Sequence, residues 1–316
     1  MHTFTRIFIA GGGGFIGSHF VERLLADEAT EKVTVFDNFS SGGSCLLKSS
    51  EADSRLHVVR GDIGDLDSLC AAMAGHDCVL HLASNPDIAR AAVDPMIDFR
   101  AGTVLTQHII EAVRRASVSK ILYASGSGVY GDMGESTLVE NRLEKMPIST
   151  YGASKLAGEA LLSSYAHMFG INSLAFRFAN VVGARQTHGV CLDFIKKLRN
   201  DGKRLAILGD GTQSKSYIHV TDVVAAVLLA AGSVKSGFDC FNVSTPDHIS
   251  VTEIARIACT KVLGGQSVQF DYSGGDRGWK GDIPVVRICA DKIRGLGWQP
   301  RFNSYQAIEK SIEELL

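Results

Sequence analysis

Apolar residues in the first half of the chain form short continuous runs, separated by stretches in which they recur every three or four positions. The first run, Arg6 to Ala10, predicts a strand, and Phe15-Ile16-Gly17 opens an amphipathic helix that continues through Val21, Leu24 and Leu25. Further strands are predicted at Val33-Thr34-Val35-Phe36, ending in Asp37, and at Leu56 to Arg60, ending in Gly61-Asp62-Ile63. Val79 to Leu82, running into Ala83-Ser84-Asn85, and Lys120 to Ser125 read the same way. Helical spacing covers about residue 95 to Ala116 and residues 149 to 169, the latter with Leu156, Leu161, Leu162, Tyr165 and Phe169 on its apolar face; the strand Ser173 to Phe178 follows. This repetition predicts an α/β fold with a Rossmann-like, doubly wound parallel sheet, whose ligands gather at the carboxyl ends of the strands. The loops at Gly11, Asp37, Asp62, Ala83 and Ser125 are expected to face one cleft.

After residue 178 the pattern loosens into glycine-rich loops and short units: a strand Leu205 to Leu208, a strand Ser216 to Val220 and a helix Thr221 to Ala231. Residues 1–178 are therefore expected to form a dinucleotide-binding domain, rejoined by about 216–232, and residues 179–316 a smaller lobe that binds substrate. The 316 residues suffice for one large or two intimately joined domains, and 45% hydrophobic with 21% charged residues is ordinary for a globular chain. A net charge of −2 gives no basic surplus for nucleic acid, and no apolar run spans a membrane, so a small-molecule partner and the cytoplasm are expected. Seven scattered cysteines without a C-x-x-C pair, and ten histidines without ligand spacing, indicate neither a disulfide framework nor a bound metal.

Candidate chemistry starts at Gly11 to Gly14. Placed between a strand and a helix, the spacing Gly11, Gly14, Gly17 suits a pyrophosphate, because backbone N–H groups and the positive end of the helix dipole converge there. Twenty residues after Gly17, Asp37 can accept hydrogen bonds from ribose hydroxyls and repel a 2′-phosphate, which selects NAD over NADP. Tyr151 and Lys155 lie four apart on one helix and share a face. A phenol whose ordinary pKa is about 10 becomes a usable base beside an ammonium, so this pair suits removal of a hydroxyl proton while hydride leaves the same carbon.

The glycine cluster, Asp37, Gly61-Asp62-Ile63, His81-Leu82-Ala83, Val129-Tyr130-Gly131, Tyr151-Gly152-x-Ser154-Lys155, Arg177-Phe178-Ala179-Asn180 and Ser216-Tyr217-Ile218-His219-Val220-x-Asp222 together resemble the extended short-chain dehydrogenase/reductase family, in its UDP-glucose 4-epimerase-like branch of nucleotide-sugar enzymes. The resemblance implies that Gly11, Gly14, Phe15, Ile16 and Gly17 hold the pyrophosphate. Asp37, Asn38, Ser40, Ser41 and Gly42 would hold the adenosine ribose, and Asp62 and Ile63 the adenine. It further implies Leu82, Ala83, Ser84 and Phe178 on the nicotinamide side, with Lys155 on the nicotinamide ribose. Asn180, Val190, Leu205, Lys215, Arg277 and Asp282 would meet the nucleotide of the substrate. A UDP-hexose turned over through a 4-keto intermediate, and a homodimer built on helices 95–116 and 149–169, are the implied substrate and assembly.

Three positions depart from the family pattern. The usual Ser or Thr three residues before Val129 is Gly126, so Ser127, flanked by Ser125, is expected to supply the catalytic hydroxyl. An asparagine usual in the helix is Gly102, and Lys215 replaces an arginine, while Arg277 sits two positions early. Dehydration is disfavoured because Ser127 and Gly128 stand where an Asp-Glu acid/base pair is required; related oxidoreductase or decarboxylase chemistry, and a non-catalytic NAD-binding protein, are the alternatives. Elsewhere Arg177 reads as one half of a structural ion pair, His219 as a satisfied polar group and Asp222 as a helix N-cap. His188 is a candidate contact in the substrate loop; Arg185 and Trp279 read equally as ligand contacts or as surface and packing residues.

Overall fold

The computed structural model describes residues 4–85, 88–234 and 236–316. Seven strands form its central sheet: β1 (Arg6–Ala10), β2 (Lys32–Asp37), β3 (Leu56–Arg60), β4 (Cys78–His81), β5 (Lys120–Gly126), β6 (Asn172–Phe178) and β7 (Phe238–Val243). All pairs are parallel, in the order β7-β6-β5-β4-β1-β2-β3. The strand order reverses between β1 and β4, which opens a crevice at their carboxyl ends. Side chains alternate through this sheet even where the sequence runs continuously apolar. Ile7 and Ile9 join one core with Phe20, Val35, Phe176 and Val227, while Phe8 and Ala10 join the other with Phe36, Ile110, Tyr123 and Leu162.

Helix α1 (Phe15–Leu25) buries Gly17, Phe20, Val21, Leu24 and Leu25, one face at a spacing of three and four. Helix α2 (Leu66–Met73) is capped by the Asp65 side chain, which accepts from Ser68 N at 3.1 Å. The expected continuous helix over 95–116 is instead a π-turn, Phe99–Val104, leading into α3 (Leu105–Arg115). Gly102 lies in that wider turn and presses on α4 (Thr150–Phe169): a Cβ at Gly102 would sit 2.5 Å from Ser154 Oγ, so the missing side chain is what allows the approach. Helix α4 starts on a Ser149 cap, whose hydroxyl accepts from Gly152 N at 3.1 Å, and stops at Gly170 in the left-handed region.

Beyond β6 the chain builds a third core from α5 (Val190–Asn200), α7 (Val251–Leu263), the C-terminal helix Ser304–Leu315 and the strand Arg204–Ile207. Between α5 and α7, α6 (Val220–Ser233) packs on α1, and β7 then pairs with β6 along its whole length. The return to the first half thus runs on through Val243 instead of ending near residue 232. Asp222 is not the N-cap of α6. That place belongs to His219, while the Asp222 carboxylate accepts from the N–H groups of Arg301 and Phe302 at 3.0 and 3.3 Å. Among the described residues no helix is long and apolar enough to cross a membrane.

Candidate active site

The loops at the carboxyl ends of the strands enclose a cavity of about 670 Å³. At one end the three glycines serve different needs. A Cβ on Gly17 would lie 2.5 Å from Gly11 O, so this glycine lets α1 close onto the turn, whereas nothing lies nearer than 3.5 Å to a Cβ on Gly14, which opens toward the cavity. Gly14 is also the N-cap of α1 and offers no side chain to its first turn, leaving those N–H groups for an anion. The Asp37 carboxylate, at the end of β2, is held by both oxygens: Oδ2 accepts from Gly13 N and Oδ1 from Phe39 N, each at 2.8 Å. Carboxylate oxygens have further lone pairs, so Asp37 can still accept from a ribose diol.

Every residue expected to hold the dinucleotide, Lys155 apart, lies on the wall of this cavity. Asn38, Ser40, Ser41 and Gly42 follow Asp37 along the chain, and Asp62, Ile63, Leu82, Ala83, Ser84 and Phe178 line the same cavity as Tyr151. An uncapped helix start, an open Gly14 and a fixed carboxylate at the second strand are together the donor and acceptor set that a dinucleotide requires.

At the other end stands Tyr151, on the first turn of α4. Lys155, one turn on, is buried behind the wall: its Nζ donates to Ala124 O at 2.8 Å and lies 5.5 Å from the centroid of the Tyr151 ring. Burial lowers the ammonium to about 8, against the opposing pull of the buried Asp98 carboxylate. The same burial pushes the Tyr151 phenol up to about 12, with Ser84 acting to lower it and Asp98 to raise it. At neutral pH the free protein therefore holds a neutral phenol beside a mostly protonated lysine.

The end of β5 and the turn after it bring Gly126, Ser127 and Gly128 to the wall of the same cavity as Tyr151. A Cβ on Gly126 would meet nothing within 4 Å, so the departure at this position leaves open space and no rearrangement. Ser125 also touches the cavity, but its hydroxyl donates to Glu159 at 2.7 Å. Glu159 in turn pairs with Arg177, whose Nη2 and Nε donate to its two oxygens at 2.7 and 2.9 Å.

Of the residues expected at the substrate nucleotide, Asn180, Val190, Lys215 and Asp282 line the cavity, and Lys215 Nζ pairs with Asp282 at 2.5 Å. Two do not reach it. Leu205 faces the third core from the strand Arg204–Ile207, and Arg277 turns away to pair with Asp132 at 2.6 Å and to donate to Asp282 O at 2.8 Å. Arg185 likewise pairs with Glu22 of α1, while His188 and Trp279 join the wall. The sequence reading missed Asn85, Ser149, Gln186 and Thr187 on the wall and Asp98 behind it. An acidic residue among apolar helix positions was the signal for Asp98; the others carry no local mark.

The family model described as the NAD dependent epimerase/dehydratase family matches residues 7–244. The chain belongs to this family of enzymes. It is 33% identical over 316 residues to a UDP-glucose 4-epimerase of Mycolicibacterium smegmatis, covering 98% of this chain and 97% of that one. It is also 30% identical to a dTDP-glucose 4,6-dehydratase of an Actinoplanes species, covering 97% and 96%. Among solved structures, a UDP-glucuronic acid 4-epimerase from Bacillus cereus in complex with UDP-glucuronic acid and NAD superposes with a TM-score of 0.88, at 26% identity and with 98% and 99% coverage. NAD is the family's cofactor, and the cradle between Gly11 and Asp37 suits it.

Proposed function

We propose that this member is a nucleotide-sugar 4-epimerase acting on a UDP-hexose. The observation that carries the reading is the stretch Ser125 to Gly128 on the wall of the cavity that holds Tyr151, which presents the Ser127 hydroxyl and open space at Gly126 but no carboxylate of its own. Elimination of water from the sugar needs a second acid/base pair beside the tyrosine. Reversible oxidation at one carbon does not.

When bound, NAD supplies a reversible acceptor for the C4 hydride and, oxidised, a positive charge beside the phenol. Tyr151 takes the proton of the C4 hydroxyl as hydride leaves that carbon, and the Lys155 ammonium supports the phenolate from behind the ring. Ser127 donates to the sugar oxygen throughout. The resulting 4-keto sugar turns within the cavity, hydride returns to its other face, and Tyr151 gives the proton back to the same oxygen. Asn180 and Lys215 face the nucleotide, Lys215 exchanging Asp282 for a phosphate oxygen. A cytoplasmic homodimer is part of this proposal, joined through α3 and α4, whose surroundings leave Phe99, Met168 and Phe169 exposed.

Incubation with UDP-glucose, UDP-galactose, their N-acetylated and uronic acid counterparts, and dTDP-glucose, followed by proton NMR, tests the reading. Interconversion of one UDP-linked pair at C4 is expected. A 4-keto-6-deoxy product from dTDP-glucose, with no epimer formed, would overturn it.

A further inference from the structure

Gly102 and Gly126 leave two positions around the reacting end without a side chain, yet the loop after β4 brings a hydroxyl there. Ser84 Oγ is buried and makes no hydrogen bond among the described residues, and Ser84 lines the same cavity as Tyr151. A buried hydroxyl without a partner is costly, and such groups persist where a partner forms during function.

Asp98 explains why the two residues lie together. Entering the π-turn, and 1% exposed, this carboxylate accepts from Asn85 Nδ2 at 2.9 Å through one oxygen and from Thr150 Oγ1 at 2.7 Å through the other. Asn85 directly follows Ser84, and Thr150 directly precedes Tyr151. One buried carboxylate thus ties the loop after β4 to the first turn of α4 and sets the separation of their two hydroxyl groups. Four titratable groups surround this point. Lys155 comes from α4 and Asp98 from the start of the π-turn; the Tyr123 ring of β5 lies 5.0 Å from Lys155 Nζ, and the His81 ring of β4 lies 5.4 Å from that of Tyr123. Burial keeps both Tyr123 and His81 neutral, so Lys155 and Asp98 carry the charge around this point.

We propose that Ser84 is a positioning residue: its hydroxyl donates to the Tyr151 oxygen when that oxygen carries negative charge, and Asp98 holds the pair in place through Asn85 and Thr150. This role rests on Tyr151 being the base. It is distinct from that of Ser127, which faces the sugar oxygen.

The test reads the phenolate directly. The near-ultraviolet phenolate band of the NAD complex is titrated with pH, and the titration of Tyr151→Phe is subtracted to isolate Tyr151. Ser84→Ala is expected to move the midpoint up by about one unit, the usual scale of one lost hydrogen bond to an anion, and Ser84→Thr to restore it. With a substrate in hand, kcat at neutral pH falls about tenfold while KM is unchanged. Thr150→Val, which frees the clamp without changing charge, shifts the midpoint in the same direction, and adds nothing in the Ser84→Ala background. Superimposable titrations of wild type and Ser84→Ala overturn the proposal, and additive shifts overturn the clamp. Should Ser84→Ala not fold, Ser84→Cys, with a weaker donor of similar shape, carries the same comparison. Since the titration needs no turnover, inactivity on every UDP-hexose would remove the epimerase reading and leave this result standing.

Discussion

Ser125 donates its hydroxyl to Glu159 at 2.7 Å, so of the two serines flanking Gly126 only Ser127 is free of that buried pair. Ser127→Ala is accordingly expected to lower kcat on the order of 10²-fold, the scale of a hydrogen bond that guides a proton in the transition state. Gly126→Ser should fold and retain or raise activity, because its new side chain enters space with no atom within 4 Å of the Cβ. Steady-state kinetics decide the matter. A silent Ser127→Ala alongside a damaging Ser125→Ala would assign the hydroxyl to the residue that the structure turns away.

Glu159 and Arg177, 4% and 2% exposed, form a pair on which Ser125 and Tyr130 also depend, for Arg177 Nη1 donates to the Tyr130 oxygen at 2.8 Å. Removing one partner strands the other charge in the core. Glu159→Ala should therefore cost about 3–5 kcal/mol of stability, read from urea unfolding with the slope unchanged. A loss below about 1 kcal/mol would mean that Arg177 finds other solvation.

Cofactor choice follows from Asp37. A 2′-phosphate would meet its carboxylate and forfeit the hydrogen bonds of the ribose diol, so NAD should bind on the order of 10²-fold more tightly than NADP. Asp37→Asn keeps the side chain's shape, removes the repulsion and should narrow the gap. Fluorescence titration of both cofactors measures it, and equal affinities in the wild type would remove Asp37 from the site.

For the acid–base pair, Tyr151→Phe should keep NAD and UDP binding but lose a factor of about 10²–10⁴ or more in turnover, since it deletes a proton acceptor and little volume. Lys155→Met should lose activity and weaken NAD as well. The lysine also sets a pH limit. Its value in the folded chain, about 8, lies below that of a free lysine, so the ammonium is present below that pH and is lost as pH rises through it. NAD affinity measured in Tyr151→Phe, where the phenol cannot contribute, should be level near neutrality and decline through pH 8. Undiminished affinity at pH 10 would contradict the assignment.

Local patterns carried most of what was legible beforehand. The glycine turn, Asp37 and the Tyr151/Lys155 spacing are each contained within one strand–turn–helix or one helix, where sequence distance and spatial distance coincide. The Asp98 clamp joins residues 52 positions apart and Arg277 reaches Asp132 across 145, so neither pairing leaves a periodic trace. Leu205 was readable in another way. Buried Leu205 and Ile207 alternate with exposed Arg204 and Ala206, and that period of two marks a core face, whereas its assignment to the substrate rested on position along the family pattern. The π-turn was hidden for a similar reason, because Gly102 looks like a weak helix residue until Ser154 is seen beside it.

The seven residues of β6 are all buried and lie between β5 and β7, although β7 arrives only after α5 and α6, with α7 and the C-terminal helix still to follow. A chain cut after residue 178 would expose β6 as an unpaired apolar edge, the kind of surface that recruits other strands. The half that carries the glycine turn is therefore not a transferable module by itself. A chimera that exchanges the third core between relatives must leave Phe238–Val243 with the first half and supply the new core in two pieces, one threaded in before that strand and one joined after it.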